Sequence, residues 1–214
     1  MEAGRPPIFL SYPTKKEKIM DVALVQRRLG VRADGDFGPV TLAALLRKLG
    51  APAGTAGPLA AGVAALEGAV LLGSGLRLAH FLAQAGHETM SFARMTEIWG
   101  PTPAQRRYGG REDLGNVRPG DGFRFRGRGV LQITGRDNYR RFGALVGVDI
   151  ESQPERAAEP AVAMALACAY WTSRRINAAA DRDDVEAVTR LINGGLNGID
   201  DRRARLARAK AILL

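Results

Sequence analysis

Apolar residues recur at helical spacing along much of the chain, and one such stretch ends in a carboxylate. The stretch spans residues 76–92. At a step of ~100° per residue, four of its apolar side chains lie on one side of a helix: Leu78, Phe81, Leu82 and Ala85. Glu88 falls at the edge of this stripe. Because desolvation penalises the charged form of a carboxyl group, a half-buried glutamate here is a candidate proton donor. A surface glutamate, or one paired with Arg94, is the alternative.

The same spacing predicts helices on both sides of this stretch. The first runs over Val22–Leu29 and stops at Gly30, and the second begins near Pro39. Further helices are predicted at 59–72, 160–171, 184–192 and 200–213. Residues 130–134 alternate between apolar and polar, which is typical of a short strand. The chain is therefore expected to be mainly helical, with a short β element.

The segment between the first two helices reads DGDFGPVT and contains a tight turn at Asp34-Gly35. It resembles the three-helix peptidoglycan-binding domain, in which a leucine and glutamine helix precedes DGxFGPxT. The matching residues are Gln26, Leu29, Asp34, Gly35, Phe37, Gly38, Pro39 and Thr41. The resemblance implies wall contacts through Asp34, Gly35, Phe37 and Gly38. A helical hairpin that only packs against its neighbour is the alternative.

Two domains are predicted from these patterns. Residues 1–52 form the peptidoglycan-binding-like module, and Met20 offers a second start, so that residues 1–19 are interpreted as an extension. Small residues without periodicity at 53–58 predict a linker. Residues 59–214 then form the larger domain.

Charge and cysteine content narrow the classes of function. The formal net charge is +9, which attracts polyanions such as envelope polymers, nucleic acid or a membrane surface. Basic and aromatic residues alternate only briefly, around 123–128, so nucleic acid is not an expected partner. Cys168 is the single cysteine, which rules out an internal disulfide. No apolar run has the length of a signal peptide or a membrane span, and we expect synthesis in the cytoplasm.

Metal and cofactor chemistry is not expected. His87-Glu88 begins like a zinc-protease motif, but position 91, where the second histidine belongs, is Ser91. His80 and His87 share a helical face without a third ligand in view. The glycine-rich segment 120–143 lacks the GK[ST] of a phosphate loop.

A second carboxylate follows the first at a distance that a loop can bridge. Glu97 lies beyond the predicted helix and has several arginines nearby in sequence, any of which would favour its ionised form: Arg94, Arg106, Arg107 and Arg111. A protonated carboxyl group facing an ionised one suits a glycosidase, which needs an acid for the leaving oxygen and a base for water. Gln132, Thr134 and Asn138 supply neutral donors and acceptors of the kind that sugar hydroxyl and N-acetyl groups require.

These segments together resemble the catalytic domain of glycoside hydrolase family 19, in particular its phage endolysin and bacterial branch. The resemblance covers about residues 59–210, and its motifs are AHFLAQAGHET, TEIWGPTPAQRRYGGR, FRGRGVLQITGRDNY and LINGGLNGIDDRRAR. It implies a two-lobed, lysozyme-like helical fold, with Glu88 as general acid, Glu97 as general base and Thr134 holding the attacking water. The predicted substrate-binding residues are Gln132, Asn138, Asn193, Arg202, His87 and Tyr108. Structural roles remain open for Asn193 and Tyr108, and Arg202 is alternatively a helix-surface arginine.

The resemblance also guides the choice of substrate. Secreted plant chitinases of this family carry signal peptides and disulfides, which this chain lacks, so we expect a monomeric phage endolysin that reaches the periplasm and the peptidoglycan at lysis. The basic C-terminal helix, with Leu206, Ala209 and Leu213 on one side, is a candidate for contact with anionic outer-membrane lipid or for packing on the domain. A bacterial chitinase and a non-catalytic wall-binding protein are the alternatives.

Overall fold

The computed structural model describes residues 20–214, and the predicted extension at 1–19 lies outside them. Helices dominate this part of the chain. Their bounds are α1 Val22–Leu29, α2 Pro39–Lys48, α3 Ala53–Ala60, α4 Val63–Gly68, α5 Gly75–Glu88, α6 Pro103–Arg106, α7 Asp121–Arg124, α8 Arg136–Val146, α9 Pro160–Ser173, α10 Asn177–Ala180, α11 Val185–Asn193 and α12 Ile199–Leu213, with 3₁₀ turns at Glu112–Leu114 and Pro154–Ala158. The predicted mainly helical class is confirmed. No helix between residues 20 and 214 is long and apolar enough to cross a membrane.

Helix α5 lies at the centre of the molecule. The sequence pattern marks one apolar side, but every residue from Leu78 to Gly86 is buried. Ser74 begins the helix by accepting a hydrogen bond from the Arg77 amide at 3.3 Å. Helix α12 packs along α5, and its side chains Leu206, Ala209 and Leu213 are buried in the common core. The apolar side of the C-terminal helix is thus used for packing.

Helix α5 ends at Glu88 rather than at residue 92. Three consecutive residues, Met90, Ser91 and Phe92, have positive φ values of 52°, 61° and 63°. The Thr89 hydroxyl donates to the Ala85 carbonyl at 2.6 Å and accepts from the Phe92 amide at 2.8 Å, which closes the turn. Glu88 therefore occupies the last position of a buried helix.

The predicted strand at 130–134 does not form. Residues 20–214 contain isolated β-bridges but no strand, and two of these bridges join Thr96 to Arg128 and Arg128 to Ile133. Positive φ values at Gly129 and Gln132, 82° and 52°, fold this segment into a turn. As a result Val130, Leu131 and Ile133 are all buried and the expected alternation of faces is lost.

The segment predicted as a linker is helical. Residues 53–58 belong to helix α3, which packs against α2 and α9 and buries Ala56, Leu59 and Ala60. Small side chains without a charge let this helix approach its neighbours closely. One continuous apolar core reaches from Val25 in the N-terminal segment to Trp171 and Leu213. The assignment of a separate function to residues 1–52 stays a prediction.

Gln26 holds the DGDFGPVT segment in place from inside the hairpin. Its side-chain amide donates to Asp34 Oδ1 at 2.7 Å, to the Asp36 carbonyl at 2.9 Å and to Thr41 Oγ1 at 3.0 Å, and its carbonyl accepts from the Gly35 amide at 2.9 Å. The hydrogen bond from Gln26 is also the main reason that the pKa of Asp34 lies below its ordinary value. The glutamine and the loop of this motif therefore form one hydrogen-bonded unit.

Replacing Gln26 by Ala should lower the free energy of unfolding by about 2 kcal/mol, because a buried hub of hydrogen bonds loses its partners. Denaturation in urea measures this. Arg27→Ala, a change at the exposed neighbouring residue, is the control and should alter stability by less than about 0.5 kcal/mol. Equal losses in the two variants would contradict the structural role of Gln26.

Candidate active site

An open cleft of about 450 Å³ lies beside the C-terminal end of α5. Its lining consists of Glu88, Glu97, Tyr108, Gly127, Leu131, Gln132, Thr134, Ile192 and Asn193. The residues predicted as acid, base and water holder thus lie together, with three of the predicted sugar-binding residues. The other three, Asn138, His87 and Arg202, are not part of this lining. Asn138 and Arg202 hydrogen-bond to residues that line the cleft, whereas His87 pairs with Asp201.

Glu88 is held by a guanidinium from α12. Arg202 is completely buried, and its Nη2 donates to Glu88 Oε1 at 2.5 Å. Its Nη1 donates to Gln84 Oε1, and its Nε donates to the Asn197 carbonyl at 3.1 Å. The helix-surface interpretation of Arg202 is therefore wrong. The carboxylate of Glu88, with 19% of its side chain exposed, has one fixed oxygen and a face toward the cleft.

Glu97 is held by neutral donors instead. Its Oε2 accepts from the Gly127 amide at 2.9 Å, its Oε1 accepts from Gln105 Nε2 at 2.9 Å, and the Tyr108 hydroxyl lies 3.5 Å from Oε1. A Cβ added to Gly127 would come within 3.3 Å of Glu97 Oε2, so glycine permits this close approach. Burial and then the negative charge of Glu97 raise the pKa of Tyr108, which keeps the phenol a donor.

The predicted arginine partners of Glu97 do not reach it. No arginine among residues 20–214 lies within 4.0 Å of its carboxylate. Arg111 pairs instead with Asp113, with Nε 2.6 Å from Oδ1. Arg106, the last residue of α6, and Arg107 are exposed to solvent, as is Arg94.

Gln105 is a site residue that the sequence analysis missed. It is 5% exposed and binds both Glu97 and the Ile98 carbonyl. Its backbone and side chain form a capping box with Thr102 at the start of α6. The T-P-A-Q pattern at 102–105 is the sequence signal of such a box and could have located this residue.

The opposite wall is fixed by bonds to the backbone. The Thr134 hydroxyl donates to the Gln132 carbonyl at 3.0 Å, and Asn138 Nδ2 donates to the Thr134 carbonyl at 2.7 Å. The side chain of Gln132 donates to the Gly129 carbonyl at 2.8 Å. Asn193 ends α11, and its Oδ1 accepts from Asn197 Nδ2 at 3.3 Å. Asn138 thus supports the turn that presents Thr134.

His87 lies outside the cleft and faces α12. Its Nδ1 is 2.7 Å from Asp201 Oδ2, and its ring covers Gly198 so closely that a Cβ there would lie 2.1 Å from Cε1. Burial raises the pKa of Asp201, but hydrogen bonds from Arg205 and His87 outweigh it and hold the pKa below its ordinary value. No cluster of His, Cys, Asp or Glu that could hold a metal occurs in the described part of the chain.

The chain has relatives of known family among curated proteins. No family model matches the chain. The chain is similar to a glycosyl hydrolase family 19 domain-containing protein of Haemophilus influenzae, with 37% identity over 161 residues. The match covers 63% of this chain and 78% of the relative. It is 34% identical over 123 residues to chitinase 6 of rice, covering 56% of this chain and only 43% of the rice protein.

Solved structures show the same fold. Chitinase C of Streptomyces griseus superposes with a TM-score of 0.66 at 22% identity, covering 83% of this chain and 77% of that one. A class IV chitinase of maize superposes with a TM-score of 0.59 at 21% identity. The match covers 82% of this chain and 90% of the maize chain. Fold and relatives define a lysozyme-like helical glycoside hydrolase. The chain belongs to glycosyl hydrolase family 19.

Replacing Arg202 by Met should lower the free energy of unfolding by about 2 to 4 kcal/mol, since Gln84 and Glu88 lose a buried charged partner. Chemical denaturation measures this. Arg203→Met is the matched control, because that neighbouring arginine pairs with Glu186 at the surface, and should cost less than about 1 kcal/mol. Similar losses in both variants would contradict the importance of the buried pair.

Proposed function

We propose that this chain hydrolyses the β-1,4 bonds of peptidoglycan glycan strands, with Glu88 as general acid and Glu97 as general base. The observation that carries the proposal is the meeting of these two carboxylates in one open cleft, each with a different set of partners. A pair of carboxyl groups with different environments suits acid and base catalysis of glycoside hydrolysis.

Glu88 donates the proton to the leaving oxygen. Its Oε1 is bound by Arg202, so Oε2 is the oxygen that carries the transferred proton. When the proton leaves, the group becomes a carboxylate beside a buried guanidinium, which stabilises the new charge. Arg202 is therefore a positioning residue that also supports the product state of this step.

Glu97 accepts the proton of the attacking water. Its two oxygens accept hydrogen bonds from Gln105 and from the Gly127 amide, which hold the carboxylate in the lining of the cleft. Thr134 lines the same cleft and orients the water through its hydroxyl group. In inverting enzymes the two carboxyl groups leave a gap of roughly 6.5 to 9.5 Å for water. The reaction is a single displacement that inverts the anomeric carbon.

Peptidoglycan as substrate is supported by charge and by the N-terminal motif. The net charge of +9 favours association with anionic wall polymers. The segment that resembles a peptidoglycan-binding domain keeps a common core with the catalytic part. Its residues Asp34, Gly35 and Gly38 are accessible on the surface, whereas Phe37, also predicted to contact the wall, is buried in that core. In this proposal the protein is a monomeric phage endolysin that needs no cofactor and passes from the host cytoplasm to the wall at lysis.

Hydrolysis of chitin is the second candidate. It is favoured by the rice relative and by the solved structures, all of which are named chitinases. A non-catalytic wall-binding role receives no such support, because both carboxylates and Thr134 remain together in the cleft.

Replacing Glu88 or Glu97 by Gln should lower glycan hydrolysis by about 10²- to 10⁴-fold, since each variant loses one proton-transfer group. Release of reducing ends from purified sacculi measures the rate, and far-UV circular dichroism checks the fold. Glu112→Gln changes an exposed carboxylate outside the cleft and should keep the full rate. Glu88→Gln with undiminished activity would refute the assignment of the acid.

The products identify both stereochemistry and bond. The first reducing sugar should be the α-anomer, which proton NMR detects within the first turnovers, and an initial β-anomer would rule out inversion. Mass spectrometry of the digest shows whether muramic acid or glucosamine ends the chain. Faster hydrolysis of chitin than of peptidoglycan would show that the protein acts as a chitinase instead.

A further inference from the structure

A second pocket, of about 380 Å³, lies behind one wall of the cleft and collects positive charge. It is lined by the arginines Arg124, Arg126 and Arg128 together with Phe123, Ser152, Pro154 and Glu155. Between residues 20 and 214, no carboxylate lies within 4.0 Å of these three guanidinium groups, whereas the nearby Arg136 and Arg140 both pair with acidic residues. Glu155 is the acidic member of the lining, so positive charge predominates.

The guanidinium groups retain hydrogen-bonding capacity. Arg128 is only 5% exposed, yet its bonds are to neutral acceptors, with Nη1 at 2.8 Å from both the Arg124 carbonyl and the Tyr139 hydroxyl. Arg126 donates through Nη1 to the Phe123 carbonyl at 2.9 Å, and its buried Nε has no partner in the described chain. Arg124 donates to the Ser152 carbonyl at 2.9 Å. Buried charges normally have a counter-ion. The negative charge of Glu97 acts on Arg126 without a direct ion pair, and no described carboxylate lies within 4.0 Å of Arg126 in the pocket.

Electrostatics agree with this geometry. Burial and then the positive charge of Arg128 lower the pKa of Arg126, which means that the two cations destabilise each other. The guanidinium of Arg126 also lies 4.1 Å from the centre of the Phe123 ring, a cation–π contact. An anion in the pocket would relieve the repulsion and complete the hydrogen bonds.

The pocket and the cleft share one backbone segment. Gly127 lines the cleft, and its two neighbours Arg126 and Arg128 line the pocket. Around its edge, aromatic rings form a path: Phe123 is 5.5 Å from Trp99, which is 6.1 Å from Tyr108 at the cleft. This row of rings leads from Tyr108 in the cleft lining to Phe123 in the pocket lining.

We propose that this pocket binds a carboxylate of the peptidoglycan stem peptide and so gives the enzyme its preference for peptidoglycan over chitin. The inference rests on the proposed peptidoglycan substrate. A guanidinium group matches a carboxylate through parallel N–H donors, and the Phe123 ring accommodates the aliphatic part of a peptide side chain. Chitin carries no acidic group, so it gains nothing from the pocket.

The test compares soluble peptidoglycan oligosaccharides that carry free stem carboxylates with the same material after carbodiimide coupling to methylamine, which converts the carboxylates to neutral amides. Wild-type enzyme should prefer the free carboxylates by about 5- to 10-fold in kcat/KM. In Arg124→Gln and Arg126→Gln this ratio should fall close to 1. Arg182→Gln is the matched control, because this exposed arginine also donates to a backbone carbonyl but lines neither cavity, and it should keep the wild-type ratio.

Each outcome separates the inference from the proposed function. Wild-type enzyme that cleaves peptidoglycan oligosaccharides equally well in both forms, or variants that keep the wild-type ratio, would overturn the pocket assignment alone. Wild-type enzyme that cleaves chitin oligosaccharides but neither peptidoglycan form would overturn both. Arg124 is exposed, so its variant should fold, and thermal unfolding of all variants verifies this.

Discussion

A completely buried guanidinium must be surrounded by acceptors, and in this protein that requirement joins the two central helices. Arg202 on α12 reaches Gln84 and Glu88 on α5 and the Asn197 carbonyl before α12. Leaving such a charge unpaired costs several kcal/mol, so α5 and α12 cannot slide past each other without losing stability. The position of Glu88 at the cleft is therefore a consequence of how the core is packed.

The second carboxylate depends on a loop rather than a helix. The backbone amide of Glu97 donates to the Gly127 carbonyl at 2.8 Å, while the Gly127 amide donates to the Glu97 side chain at 2.9 Å. The capping box of α6 adds Gln105 from the other side. A few hydrogen bonds thus hold this loop in place without a β-sheet. One catalytic carboxylate of the cleft is fixed by a buried charge and the other by neutral donors.

Local signals in the sequence were sufficient for much of the fold but not for the contacts of the site. Gly30 and Pro160 mark helix boundaries by their own backbone preferences, and the helices end and begin there. The end of α5 at Glu88 depends instead on three positive φ values and on the burial of Phe92. The pairing of Glu88 with Arg202 joins positions 114 residues apart, and no spacing rule can reveal a partner at that separation.

The placement of the N-terminal segment constrains how it could act on a wall. Arg28 donates to the Ile212 carbonyl at 2.9 Å, and Arg208 lies 3.4 Å from the Lys48 carbonyl, so α1 and α2 are attached to the same helix that carries Arg202. Gln26 and Thr41 of the motif already bond to each other. A wall polymer would therefore have to meet the exposed part of the loop, in a fixed orientation to the cleft rather than at the end of a flexible tether.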